Sequence, residues 1–199
     1  MKQSNTLTIG TGSATGTGTF SRCYPGDILV TASDTTNSAV IQVGTCSKFS
    51  HAVLMLDHER AIEAVPDGVN RALLNDVLNQ SSEVFVLRHK QIVFAQALKI
   101  AGYATSQLGK PYDFLGAARA GTNSGCSAAF KYGAPGMAVL VADSLAKFGG
   151  GHDTSFFCSE LIAKAYQSVG LSLSSKQPWL TIPGGLFKSD QLVVMAKLK

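Results

Sequence analysis

Phe156-Phe157-Cys158-Ser159-Glu160-Leu161-Ile162-Ala163-Lys164-Ala165-Tyr166-Gln167-Ser168-Val169-Gly170 decides how the chain is read. Leu161, Ile162, Ala165, Tyr166 and Val169 recur on one helical face and Gly170 supplies a stop, so a helix is predicted over 157–169. Cys158 falls in its first turn. A helix start carries N–H groups without intrahelical partners and about half a positive charge, and both favour thiolate over thiol. The two phenylalanines ahead of it predict a packed entry, with the sulfur presented where strand or loop meets helix. Such a cysteine reads in two ways, as a nucleophile or as a small buried hydrophobe.

Outward from this helix, short strands and helices alternate. Pro25-Gly26-Asp27 is a turn launching the strand Ile28-Leu29-Val30. Residues 35–49 have helix-compatible apolar spacing. Runs 51–56 and 60–65, separated by Asp57-His58-Glu59, read as a β-hairpin, with a turn at Pro66-Asp67-Gly68. A short helix is predicted over 72–79 and a strand over 83–88. The apolar residues Ile92, Phe94, Ala95, Leu98, Ala101 and Tyr103 make a helical stripe over 91–108, ended by Gly109 and stopped by Pro111. Ile182-Pro183 begins a turn, and 191–198 is a last strand. The class is α+β, a small antiparallel sheet packed against helices.

With 199 residues the chain makes one domain, over 20–199, preceded by a flexible arm at 1–19 in which twelve residues are Gly, Ser or Thr. Residues 116–157 hold seven or more glycines and are expected to form an irregular, partly helical insertion around an apolar piece at 137–148. Apolar residues make up 45% and charged residues 15%, which excludes a disordered, solvating chain. A net charge of +4, dispersed along the sequence, argues against nucleic acid as a partner. The longest apolar run, Met137–Ala142, falls far short of the ~20 residues of a membrane span. No apolar segment follows Met1-Lys2, so the expected location is the cytoplasm, or outside it by a signal-independent route. Cys23, Cys46, Cys126 and Cys158 include no Cys-x-x-Cys pair and no histidine cluster, so no metal site is expected.

A thiolate nucleophile needs an imidazole, and the imidazole needs a group that fixes its tautomer. His51 heads the apolar run His51-Ala52-Val53-Leu54-Met55-Leu56, and Glu63 interrupts Ala61-Ile62-Glu63-Ala64-Val65. A carboxylate between Ile, Ala and Val is costly to bury unpaired. Parity links the two. A three-residue hairpin loop at 57–59 pairs Leu56 with Arg60 and Val53 with Glu63, making His51 the diagonal neighbour of Glu63. A two-residue loop puts them on opposite faces. His152-Asp153, just ahead of Cys158, is a further polar pair within range.

Taken together, Gly26-Asp27-Ile28-Leu29-Val30, Ser50-His51-Ala52-Val53, Ile62-Glu63-Ala64, Gly109-Lys110-Pro111-Tyr112-Asp113 and Phe157-Cys158-Ser159-Glu160-Leu161 resemble the NlpC-type thiol hydrolases. Histidine first and cysteine last is the circularly permuted papain-like order, most similar to the YiiX-type amidases. The resemblance covers about residues 25–170. It implies a permuted papain-like fold and a cysteine hydrolase acting on a peptide or peptidoglycan-type amide. Cys158 would be the nucleophile, His51 the base and Glu63 the orienting acid, with no metal or organic cofactor. Tyr112 matches a cleft-lining tyrosine of the family and is expected to bind substrate or support the oxyanion. The related retinoid and phospholipid acyltransferases carry an Asn-Cys-Glu-His type of signature, from which Phe-Cys-Ser-Glu departs. A lipid acyltransferase or thioesterase is therefore the rival chemistry, and a binding module without activity the rival class.

Overall fold

Of the six strands among the described residues, five come before the cysteine helix: β1 Ile28–Ala32, β2 His51–Met55, β3 Arg60–Val65, β4 Gly68–Leu73 and β5 Glu83–His89, with β6 Leu192–Lys197 last. The helices are α1 Leu74–Gln80, α2 Phe94–Ser106, α3 Phe114–Thr122, α4 Cys158–Gln167 and α5 Pro183–Phe187, with a 3₁₀ turn at Pro178–Leu180. The computed structural model describes residues 22–33, 47–122 and 154–199. The arm at 1–19, the stretch 35–46, the apolar piece 137–148, His152-Asp153, Cys46 and Cys126 lie outside the described residues.

All strand pairs are antiparallel, in the order β4-β3-β2-β1-β5-β6. β1 lies inside the sheet and is buried along its whole length. Its alternation splits the core. Ile28 and Val30 join Ala52, Leu54, Ile62 and Ala64 under α2 and α4, whereas Leu29 joins Val53, Met55, Ala61 and Val86 on the face covered by Val77 of α1. α4 is buried from Cys158 to Tyr166, on every side, so the nucleophile candidate stands on the most enclosed helix described.

Three sequence expectations are corrected. Gly68–Leu73 is a strand and the helix starts only at Leu74, not at 72. Asn70 and Arg71 are exposed on this edge strand, so it lacks a strand's usual apolar signal. Gly68 is required there: its φ is +110°, and a Cβ would stand 2.7 Å from the Lys110 carbonyl oxygen. In α2 the buried stripe is Ala97, Ile100 and Ala104, while Phe94 and Leu98 are exposed. Apolar residues occur on both sides of this helix, and the stripe with Ile100 between two alanines is the inner face, where α2 packs against α4. Finally, the Gly-rich segment is regular at its start, since 116–122 belong to α3. Its end is core, with Phe156 and Phe157 buried.

Asp27, 1% exposed, accepts hydrogen bonds from Arg88 Nε and Nη2 at 2.6 and 2.7 Å and from the Tyr24 N–H at 2.8 Å. This fork joins the turn before β1 to β5. Arg88→Ala leaves the carboxylate buried beside no cationic partner in that fork, a loss worth about 3–5 kcal/mol. Thermal unfolding should show Tm lowered by about 10 °C. An unchanged Tm would contradict the assignment.

Candidate active site

β2 and β3 pair at Leu54↔Ile62 and Met55↔Ala61, and Leu56 N–H donates to the Arg60 carbonyl. This is the register of the three-residue loop, so His51 and Glu63 are diagonal neighbours. Their side chains meet: His51 Nε2 lies 2.6 Å from Glu63 Oε2, with both half-buried.

The paired ladder stops at Leu54, and what lies beyond it makes the site. Met55 N–H donates to Asp27 O, so odd residues of β2 bond toward β1 and even residues face β3. Ala52 is even, but β3 does not pair with it. Its N–H instead points to Cys158 Sγ, which also accepts the Ser159 N–H. The start of α4 thus sits where the β2–β3 ladder opens. With Nε2 of His51 on Glu63, the hydrogen bond from the ring to Cys158 falls to Nδ1.

Burial alone would raise the Cys158 pKa. The hydrogen bond and charge of His51 and the two amide donors outweigh it, and the thiol is held below its ordinary range. Burial would likewise lower His51, but the hydrogen bonds to Cys158 and Glu63 and their charges overcome it, pushing the imidazole up to about 10. The pair is therefore a thiolate facing an imidazolium. Cys23, the other described cysteine, is the contrast: burial and the nearby Asp27 push its thiol up to about 12.

Tyr112 is placed by a parallel bridge to Phe156, with Phe156 N–H donating to Pro111 O and Asp113 N–H to Phe156 O. Burial first, then the charges of Cys158 and Asp113, raise its pKa, so it is a neutral phenol. Two residues beyond that bridge both segments become helical, α3 at Phe114 and α4 at Cys158. Asp113 caps α3 by accepting the Gly116 N–H at 2.7 Å. The Phe114 ring, largely exposed, lies 4.8 Å from that of Tyr112.

The other basic and imidazole groups are engaged in contacts of their own. Lys48 pairs with Glu83, Lys110 stands over the Phe156 ring, His58 is an exposed turn residue, and His89 bonds the Ser172 carbonyl. No group of three or more His, Cys, Asp or Glu residues suited to a metal ion occurs among the described residues. Sequence reasoning missed the Ala52 amide, which carries no residue signal because its role follows from the end of a ladder. It also passed over Glu160, although a Glu at the third position of a helix is a capping signal.

Residues 22–125 match the family described as permuted papain-like amidase enzyme, YaeF/YiiX, C92 family. The chain belongs to this family. A curated relative, the probable lipoprotein peptidase YaeF of Escherichia coli strain K12, is 27% identical over 169 residues. The alignment takes in 81% of this chain and 62% of that relative, so the chain spans less than two thirds of its length. The crystal structure of the metalloprotein YiiX from Escherichia coli O157:H7 has a TM-score of 0.61 at 22% identity, covering 88% of this chain and 98% of that one. That likeness is one of fold, and the α+β permuted papain-like architecture holds.

Proposed function

We propose that the protein is a cysteine hydrolase that cleaves an amide bond in a peptide or peptidoglycan-type substrate. The observation that carries this reading is the unbroken chain Cys158–His51–Glu63, formed where the β2–β3 ladder opens onto the start of α4. Membership of the permuted papain-like amidases supports it.

The thiolate of Cys158 attacks the carbonyl carbon, and its oxygen takes the electron pair of the broken π-bond. N–H groups at the start of α4 and the Tyr112 phenol are the donors at hand for that oxyanion. As the C–N bond breaks, the His51 imidazolium gives its proton to the leaving amine. Water then attacks the thioester while neutral His51 takes its proton, releasing the acid and restoring the thiolate. Glu63 holds the ring by Nε2 and stabilises its charged form throughout. Phe114, next to Tyr112, offers an apolar contact for the substrate.

Alkylation tests the thiolate without a known substrate. With iodoacetamide at about pH 7, Cys158 should react at least about tenfold faster than a small free thiol, while Cys23 stays unmodified. Turnover should fall on the alkaline side as His51 loses its proton near 10, because the leaving amine then has no donor. On the acid side it should fall only below the ordinary thiol range. Peptide mapping that shows Cys23 labelled ahead of Cys158 would remove Cys158 as the nucleophile.

A further inference from the structure

Glu160 is 1% exposed, one of its carboxylate oxygens has no hydrogen-bond partner, and the chemistry above does not use it. It is the third residue of α4, and its carboxylate accepts the N–H of Phe157, the capping residue directly before Cys158. The partnered oxygen, Oε1, also lies 3.5 Å from Nζ of Lys164, itself only 9% exposed, one turn along the helix. The carboxylate therefore links the entry of the nucleophile helix to its second turn. Such an arrangement is costly to bury and is held by groups on both sides of Cys158.

We propose that ionised Glu160 is a positioning residue for the nucleophile: it ties the Phe157 N–H to Lys164 and so fixes the first turn of α4 with Cys158 Sγ against His51. The proposal rests on Cys158 being the reactive thiol. The charged groups facing Glu160 are Lys164 on its own helix and Asp113 ahead of α3. Lys110 Nζ and Lys164 Nζ lie 5.2 and 5.3 Å from the Phe156 ring centre, and Cys158 and His51 stand at the helix start. Burial raises the Glu160 pKa most, Lys164 draws it back, Asp113 raises it again, and it lies at about 7. Protonation removes the charge that holds Phe157 and takes that charge from Lys164, so the first turn loosens. Direct electrostatics has the opposite sign, because losing a negative charge near the sulfur favours the thiolate. The two effects can therefore be separated.

The test is the alkylation rate at Cys158 in the full chain from about pH 5 to pH 9, read by peptide mass spectrometry, for wild type, Glu160→Gln and Lys164→Met. Wild type should lose rate through an inflection near 7 on acidification. Glu160→Gln should lack that inflection, and Lys164→Met should move it up by about one pH unit or more. Tm measured alongside shows which variants are folded, and either folded variant decides alone. An inflection unchanged in a folded variant, or a wild-type rate that rises as pH falls through 7, would overturn the proposal. Cys158 reacting no faster than a small thiol at any pH would instead remove the nucleophile assignment, and the proposal with it.

Discussion

Cys158→Ala should abolish amide hydrolysis while leaving the fold in place. The substitution deletes one atom that accepts the Ala52 and Ser159 amides, a loss of about 1 kcal/mol, against a fall in kcat of some four to six orders of magnitude. It also removes the largest influence holding His51 above its ordinary range, so the ring should titrate at lower pH in the variant. Turnover measured with Tm on the same preparation checks both halves. Full activity in a folded Cys158→Ala protein would end the mechanism.

His51→Ala should be nearly as damaging, about 10⁴ or more in kcat, because the members act as a unit and single losses do not add. Without the imidazole, burial and the two amide donors alone set the Cys158 pKa, and burial raises it. The alkylation midpoint should therefore rise, so this variant loses thiolate as well as the proton donor. Glu63→Gln should be milder, about 10² to 10⁴ in kcat, since the amide still holds the ring but no longer favours its charged form. Glu63→Ala leaves a half-buried ring nitrogen without its partner and should cost about 1–3 kcal/mol of stability. Wild-type kinetics in Glu63→Ala would remove only the third member.

What the sequence discloses about this site is the part that depends on periodicity. His51 and Glu63 each break an apolar alternation, and hairpin parity then allows one register that brings them together, the register found. Cys158 was legible from helix spacing and position. The remainder depends on where ladders end and which edges are covered. β4 was hidden because the outer side of this edge strand is bonded by Gly109 and Lys110, remote in sequence, so it holds polar residues at strand positions. The face of α2 was ambiguous because Phe94 and Leu98 match helical spacing as well as Ala97 and Ile100 do. The Ala52 amide and the orphaned oxygen of Glu160 are properties of packing that no residue type announces.

The chain Cys158–His51–Glu63 is tested most directly by trapping the acyl-enzyme. The protein is mixed with a p-nitrophenyl ester, quenched in acid within its first turnovers, and its mass and peptide map are recorded. One acyl group on Cys158, absent from Cys158→Ala and strongly reduced in His51→Ala, is the result expected. An acyl group on another residue, or equal labelling of Cys158 with and without His51, would contradict it.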